Sequence, residues 1–298
     1  MRSRHRAACA ALLTAAALVH PANAQPPFRS GRTVVSVNVS VKTANAPVTG
    51  LTAADFVLTD NGAAQTIEAV EMETFPIDLT VVLDTSGSTG TGLGRLLAET
   101  EALAARLRPS DRFRVLTIDT YVYEAVPLQP AGKVRWPERL PLNGASAVHD
   151  ALFAGLVTSV DPDRRHLLIA LTDGIDTGSA LDAAMVREAA QRSDVLLHIV
   201  GVTFMPAQAP VPPNWLPRRD LDLDVLQDAA RRTGGELHLA GPLGPEAMRA
   251  VNAAIDDFRS SYVLRYSPLT TSPGWHALDV RLKTSGNFTI RARQGYFR

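Results

Sequence analysis

Three short segments carry oxygen-bearing side chains that could together hold a divalent cation. In the first, Asp84, Ser86 and Ser88 occupy alternate positions, and alternate residues of an extended loop point to the same side. Ser146 and Asp173 add a hydroxyl and a carboxylate from two other segments. All five are hard oxygen donors, which suit Mg²⁺, with Mn²⁺ or Ca²⁺ as alternatives, and do not suit zinc. The residue types therefore predict a site for one such cation.

The hydrophobic pattern predicts elements that bring these segments to one place. Residues 79–83, 166–171 and 195–202 form apolar runs typical of strands buried on both faces. Residues at helical spacing follow each run. Strands that alternate with helices predict an α/β fold, a doubly wound, mostly parallel, Rossmann-like sheet. Asp84 and Asp173 then lie at the carboxyl ends of two strands, where such sheets bind ligands.

Both ends of the chain instead show the strict alternation of half-buried strands. Residues 34–42 and 278–282 alternate apolar with polar side chains. Because such strands need partners for their apolar faces, residues 33–75 and 260–298 are predicted to pack into one small all-β module. The alternative is two separate hairpins lying on the α/β part. We therefore expect an N-terminal β segment over 25–76, an α/β domain over 77–255 and a C-terminal β segment over 256–298.

The first 24 residues have the three-part pattern of a secretory signal peptide. Arg2, Arg4 and Arg6 precede an apolar run over 7–19, and Ala22-Asn23-Ala24 forms a cleavage site. Without an Arg-Arg pair the general secretory route is favoured, and the product is expected to be periplasmic or extracellular. No later apolar run reaches the length of a membrane span, so no stable membrane insertion is expected.

Composition excludes several classes of protein. The 298 residues are 46% hydrophobic, which is typical of a globular protein. Lysine plus arginine and aspartate plus glutamate both number 30, so charge gives no reason to expect nucleic acid as a partner.

The cation-binding segments resemble a known adhesion motif. Asp84-x-Ser86-x-Ser88, Ser146 and Thr172-Asp173-Gly174 resemble the metal-ion-dependent adhesion site of von Willebrand factor A (VWFA) domains. The resemblance covers about residues 77–255, and Ser146 stands where that family usually has threonine. Segments 48–56 and 262–297 resemble a bacterial family of secreted VWFA-related proteins without a firmly assigned activity. The resemblance implies that a protein partner offers a Glu or Asp carboxylate to the bound cation.

Other interpretations of the same residues stay open. The alternative for the 84–88 motif is that Ser88 or Thr89 caps a helix that begins near residue 91. A protein with an empty or purely stabilising metal site is the second functional hypothesis, and a metal-dependent hydrolase is a third, less expected one. Catalysis is not expected because Ser86 replaces the second acid of an aspartyl phosphatase. The sequence also lacks the Gly-x-Ser-x-Gly and Gly-x-x-x-x-Gly-Lys patterns of hydrolases and nucleotide-binding proteins.

A proline-rich segment over 205–219 follows the third buried strand and leaves from the same edge. It is predicted to present Trp215 as a partner-binding residue at the rim of the cation site. The alternative is that Trp215 folds onto the body of the protein. Asp176 is interpreted as a capping or turn acid for a helix that begins near residue 181. The alternative is an acid near the rim of the metal site.

Overall fold

The secondary structure follows the two hydrophobic periodicities of the sequence. The structure is a computed structural model that describes residues 34–44, 46–72, 75–87, 93–138, 144–203, 219–242 and 244–298. The strands are β1 (Val35–Thr43), β2 (Ala46–Pro47), β3 (Phe56–Asp60), β4 (Ala63–Ala64), β5 (Ile67–Met72), β6 (Ile77–Asp84), β7 (Arg112–Ile118), β8 (Val122–Pro130), β9 (Arg165–Thr172), β10 (Leu196–Thr203), β11 (Leu237–Pro242), β12 (Tyr262–Tyr266), β13 (Trp275–Leu282), β14 (Thr289–Ala292) and β15 (Gly295–Phe297). The helices are α1 (Leu93–Ala105), α2 (Val148–Leu156), α3 (Ala183–Arg192), α4 (Arg219–Thr233) and α5 (Pro245–Ser260).

A six-stranded sheet with the order β11-β10-β9-β6-β7-β8 forms the centre of the α/β part. Its strands are parallel except for β8, which pairs antiparallel with β7. Every residue of β6 is buried, as expected for a strand with parallel neighbours and helices over both faces. The predicted α/β fold with a mostly parallel sheet is confirmed.

Helices cover both faces of this sheet and define where it can bind a ligand. Leu96 of α1 packs with Val81 of β6 in the core of one face. Val186 of α3 packs with Ala170 of β9 in the core of the other face. The chain therefore leaves β6 towards one face and β9 towards the other. A crevice opens at the carboxyl ends of two such neighbouring strands, which is where open α/β sheets bind ligands.

Strands from the two ends of the chain pair with one another in two further sheets. One has the order β14-β1-β12-β5, with β2 also paired to β1, and the other has the order β15-β13-β3-β4. Their apolar faces share one core that includes Phe56, Leu58, Tyr262 and Leu264. The turn between β3 and β4 has positive φ angles at Asn61 and Gly62, the conformation expected for an Asn-Gly hairpin.

A buried polar cluster joins strands of both terminal sheets. The Oδ1 atom of Asp60 lies 2.9 Å from Nδ1 of His276, and its Oδ2 atom accepts hydrogen bonds of 2.9 Å from the hydroxyls of Tyr266 and Tyr296. The Nε2 atom of His276 lies 2.8 Å from the Ser272 carbonyl oxygen. Both imidazole nitrogens thus face acceptors, so the ring is best satisfied with both protons and a positive charge.

Gly235 lies so close to strand β10 that there is no room for a side chain. A Cβ atom added at Gly235 would lie 1.8 Å from the carbonyl oxygen of Leu197, whereas one added at Gly94 in α1 would meet nothing within 4 Å. We expect Gly235→Ala to lower the free energy of unfolding by about 1–3 kcal/mol, because β10 must move. Gly94→Ala should raise it by up to about 1 kcal/mol. Urea unfolding measures both, and a Gly235→Ala variant as stable as the parent contradicts the prediction.

The predicted leader, residues 1–24, lies outside the described residues. Within the described part of the chain, no helix combines the length and the apolar character required to cross a bilayer.

Candidate metal centre

The carboxylate of Asp84 is the centre of the site. Asp84 is the last residue of β6, and its side chain is completely buried. Its Oδ1 atom accepts hydrogen bonds from the hydroxyl and the backbone N–H of Ser86, at 2.6 and 3.1 Å. Its Oδ2 atom accepts hydrogen bonds from the hydroxyls of Ser146 (3.1 Å) and Thr172 (2.8 Å). Side chains from three segments therefore converge on one carboxylate.

Backbone hydrogen bonds hold the loop after β6 against its neighbours. The N–H and the hydroxyl of Thr85 both donate to the carbonyl of Ile118, each at 2.8 Å. The N–H of Gly87 donates to the carbonyl of Gly144 at 3.2 Å. These contacts fix the loop that carries Ser86 between the end of β7 and the segment that carries Ser146.

Ser146 is held from the other side by the loop that follows β9. Its N–H donates to the hydroxyl of Thr177 at 2.9 Å. Its carbonyl accepts hydrogen bonds from the N–H groups of Thr177 and Gly178, at 2.9 and 3.0 Å. The Ser146 hydroxyl is therefore positioned by backbone contacts on both sides of its own residue, which limits its movement relative to Asp84.

Asp176 strengthens this connection. It is a turn acid, as predicted, since its Oδ1 atom accepts a hydrogen bond of 3.2 Å from the N–H of Ser179, but the helix that it caps is a different one. It accepts a hydrogen bond of 2.9 Å from the N–H of His149 in the first turn of α2, and it also bonds the hydroxyl of Ser179. The N-cap of α3 is Asp182, which accepts from the N–H of Met185 at 3.0 Å. Asp176 thus caps the helix after Ser146 and not the helix near 181, because the loop folds back onto α2.

Thr172 brings the end of β9 to the site, and Asp173 follows it in the chain. Thr172 is fully buried, and its hydroxyl both donates to Asp84 and accepts from the N–H of Gly174 at 3.0 Å. Asp173 is half-buried, and its Oδ1 atom accepts from the N–H of Ile175 at 3.0 Å. Thr172 was not identified from the sequence as a contact of Asp84. The only signal in the sequence was a hydroxyl at the end of a buried strand.

The donor chemistry of this cluster fits a hard divalent cation. A serine hydroxyl has one proton and two lone pairs, so Ser86 and Ser146 can donate to Asp84 and still offer their oxygens to an ion. Among the described residues, the hydrogen-bond partners of Asp84 are hydroxyls and one N–H group, and no Lys or Arg pairs with it. A buried charge is costly unless it is compensated. A cation bound beside Asp84 would supply that compensation.

The cluster differs from metal sites rich in imidazole, thiolate or several carboxylates. No group of three or more His, Cys, Asp or Glu in the described ranges could hold a metal ion. The fit therefore depends on hydroxyl oxygens together with the carboxylates of Asp84 and Asp173. Ser88, the third residue of the predicted motif, lies outside the described residues.

Two exposed aromatic side chains lie next to the site, one in the turn between β7 and β8 and one near the start of β8. Tyr121 and Tyr123 are 67% and 39% exposed, and their ring centroids lie 6.4 Å apart. The neighbouring Thr120 accepts a hydrogen bond of 3.3 Å from the N–H of Ala145, one residue before Ser146. This pair was not identified from the sequence. Trp215, the rim residue that was predicted, lies outside the described residues.

Comparisons with known proteins find similar solved structures. No protein-family model and no curated protein matches the chain. The ArnB paralogue VWA2 from Sulfolobus acidocaldarius is 12% identical over 86% of this chain and 74% of that one, with a TM-score of 0.47. A von Willebrand factor type A structure from Catenulispora acidiphila is 14% identical over 84% and 75%, with a TM-score of 0.43. Manganese-loaded TRAP protein from Plasmodium vivax is 14% identical over 80% and 97%, with a TM-score of 0.45. The solved structures to which this chain is similar thus include several von Willebrand factor A domains.

Proposed function

We propose that this chain is an exported, non-catalytic protein that binds a protein partner through a divalent cation at the carboxyl ends of β6 and β9. The observation that carries the proposal is the buried carboxylate of Asp84, which collects hydroxyls from three segments. Asp84, Ser86, Ser146 and Asp173 would hold the ion, together with Ser88. The expected ion is Mg²⁺, with Mn²⁺ or Ca²⁺ as alternatives. When bound, such an ion supplies a coordination position for a Glu or Asp carboxylate of the partner.

The residues of this chain would fix the positions of the ligand oxygens before the partner binds. Asp84 orients the hydroxyls of Ser86 and Ser146 by accepting a hydrogen bond from each. The loop after β9 fixes the backbone of Ser146. A site held by such supporting contacts loses little conformational freedom on binding. The exposed rings of Tyr121 and Tyr123 would add contact area beside the metal.

The rest of the chain would serve export and support. Residues 1–24 would direct secretion by the general route to the periplasm or the exterior. The paired strands from both ends would form the predicted all-β module on the α/β part. Helix α5 extends to Ser260 and the next strand starts at Tyr262, so we propose to place the C-terminal boundary of the α/β domain after Ser260.

A second candidate function is a structural domain without a working metal site. The observation that favours it is that the hydroxyls of Ser86, Ser146 and Thr172 already satisfy both oxygens of Asp84. If this is the function, the hydroxyls and Asp84 only hold three loops together, and the site does not require an ion.

A calorimetric titration of the protein with MgCl₂, MnCl₂ and CaCl₂ separates the two functions. We expect one binding site per chain, and roughly tenfold weaker binding in Ser146→Ala, because one ligand oxygen is lost. Ser272→Ala is the matched control, because it removes an exposed hydroxyl just before β13. This variant should bind the ions like the parent. Absence of binding by all three ions would leave the structural function.

A further inference from the structure

The terminal strands and the α/β part of the chain each have their own apolar core. Among the described residues, the two cores of the α/β part contain no side chain from β1–β5 or β12–β15, and the core of those strands contains none from the α/β part. Ion pairs and hydrogen bonds connect the two parts. We call the following contacts the polar interface: Asp257 with Ser40, Lys42 and Arg291, Glu236 with Arg291, and Asp194 with Arg293.

A buried histidine lies beside this interface. His198 belongs to β10 and is only 1% exposed. Because alternate residues of a strand share a face, His198 lies on the same side of the sheet as Leu196 and Val200, which pack with α5 in one apolar core. Its ring stacks on that of His238 in β11, with the ring centroids 5.8 Å apart. Its Nδ1 atom has no hydrogen-bond partner in the part of the chain that the structure describes.

The charges around His198 are balanced while its imidazole is neutral. Lys42 of β1 and Arg291 of β14 are close enough to act on the ring electrostatically. Two acids compensate these cations: Asp257 of α5 pairs with both of them, and Glu236, just before β11, pairs with Arg291. A proton on His198 adds a third positive charge to two negative ones, at a buried position where an uncompensated charge is costly.

His238 and strand β9 complete the surroundings of His198. His238 is the other titratable group that acts on it, and the Nε2 atom of His238 lies 3.8 Å from Oε2 of Glu236. On β9, the Cα partner of His198 is Ile169, which is fully buried and apolar. The charged residue on that face of β9 is Arg165, four positions before Ile169, which is about 13 Å along the strand. The groups that act most directly on His198 are therefore positive or can become so.

Burial keeps the imidazole of His198 neutral at neutral pH. Desolvation, followed by the charges of Arg291, His238 and Lys42, lowers the pKa of His198 well below its usual value of 6.5. Desolvation and Lys42 also lower the pKa of His238, while Asp257 acts in the opposite direction. Because the Nδ1 atom of His198 has no partner to lose, an apolar side chain in its place leaves no Nδ1 partner unsatisfied. The ring therefore differs from an apolar side chain chiefly in that it can be protonated.

We propose that the polar interface is an acid-sensitive contact, and that protonation of His198 separates the terminal strands from the α/β part. Separation exposes the imidazolium to water and so removes the cost of its burial. Each part keeps its own apolar core when they separate, so the chain can respond to acid without unfolding. Polar contact surfaces between parts of one chain commonly permit such relative motion. The response requires no bound ion, so it does not depend on the candidate metal centre.

The expected size of the response follows from proton linkage. A histidine whose pKa is lowered in the closed form stabilises that form fully above its ordinary pKa, and this contribution is lost as the pH falls below about 6.5. A ring that remains neutral in the closed form down to pH 5 raises the equilibrium constant for separation about thirtyfold between pH 7.5 and pH 5.

Three backbone amides distinguish separation of the two parts from unfolding of either one. The N–H of Gln294 donates to the carbonyl of Arg232 in α4 at 3.1 Å, so this hydrogen bond crosses from the terminal strands to the α/β part. The N–H of Leu278 donates to the carbonyl of Gln294 at 2.9 Å, within the terminal strands. The N–H of Ile199 donates to the carbonyl of Glu236 at 3.0 Å, within the α/β part. Hydrogen exchange followed by NMR, corrected for the intrinsic exchange rate at each pH, measures the protection of all three.

We expect the protection of the Gln294 amide to fall about thirtyfold between pH 7.5 and pH 5 in the parent. The amides of Leu278 and Ile199 should keep their protection, because neither part unfolds. In His198→Leu, which has a side chain of similar size that cannot be protonated, the fall should be less than about fivefold, the remainder coming from His238. His198→Gln is a second variant without a titrating ring and should behave in the same way. His166→Gln removes a histidine outside the polar interface and should show the full fall of the parent.

Three results would overturn the proposal. A full fall at Gln294 in both His198 variants would mean that another group takes up the proton. An equal fall at all three amides would mean that acid opens the whole fold and not the polar interface. The third is an NMR titration of the His198 imidazole in the parent with a midpoint near 6.5, since its chemical shift should stay constant down to about pH 5. Chelator and Asp84→Asn should leave the protection of Gln294 unchanged, so failure here and failure of the metal site are distinguishable.

Discussion

Asp84→Asn is expected to abolish stabilisation of the protein by Mg²⁺ without unfolding it. Asparagine has the shape of aspartate, and the hydroxyls around it can each rotate to accept or donate, so the hydrogen bonds of the cluster survive. The negative charge is lost, and a divalent cation loses its buried counter-charge. We expect metal affinity to fall at least about a hundredfold. This loss is larger than the one expected when a residue that only supports a metal ligand is removed.

Thermal unfolding in MgCl₂ and in chelator measures this effect. A ligand at a hundred times its Kd stabilises the folded state by about 2.7 kcal/mol, so the parent should melt at a higher temperature in MgCl₂. Asp84→Asn should melt at the same temperature in both conditions, and in chelator it should be at least as stable as the parent because a buried charge is removed. Asp279→Asn changes an exposed carboxylate on β13 and should behave as the parent does. An Mg²⁺-dependent shift retained in Asp84→Asn contradicts the proposed site.

Asp60→Ala is expected to destabilise the protein by about 3–5 kcal/mol, because it leaves the buried partners of Asp60 without their acceptor. His276, Tyr266 and Tyr296 all contact this one carboxylate, and they come from three strands. Urea unfolding should show the loss as a lower midpoint. Asp279→Ala, an exposed acid on the same strand as His276, should change stability by less than about 0.5 kcal/mol. A stable Asp60→Ala variant would mean that the apolar core alone holds the terminal strands together.

The same cluster also makes stability depend on pH. The hydrogen bond to the Ser272 carbonyl raises the pKa of His276 above its usual value of 6.5; the hydrogen bond and charge of Asp60 act in the same direction, while desolvation and Arg298 oppose them. A histidine whose pKa is raised by folding stabilises fully below its unfolded pKa, and this contribution is lost as the pH rises through the folded pKa. We therefore expect the parent to lose stability relative to His276→Asn as the pH is raised above about 6.5. Urea unfolding of both proteins between pH 5.5 and about 9 measures that difference, and a constant difference contradicts it.

The local pattern of the sequence predicted much of this fold because hydrophobic periodicity is a property of neighbouring residues. The continuous apolar runs predicted the buried strands β6, β9 and β10, and the alternation at 34–42 and 278–282 predicted strands with one polar face. The end of each buried strand was also visible, which placed Asp84 and Asp173 at one edge of the sheet. The pairing of β1 with β12 could be expected only in general terms, since alternation shows that a strand needs a partner and not which one.

Tertiary structure decided the contacts that depend on the paths of loops. A turn acid has the same local surroundings whichever helix it caps, so only the folded chain shows that Asp176 caps α2. Thr172 meets Asp84 because β9 lies beside β6, and strand order is a long-range property. The buried cluster around Asp60 brings together side chains from β3, β12, β13 and β15. Such a cluster leaves no periodic trace in the sequence, because its members share a location in space and no common spacing along the chain.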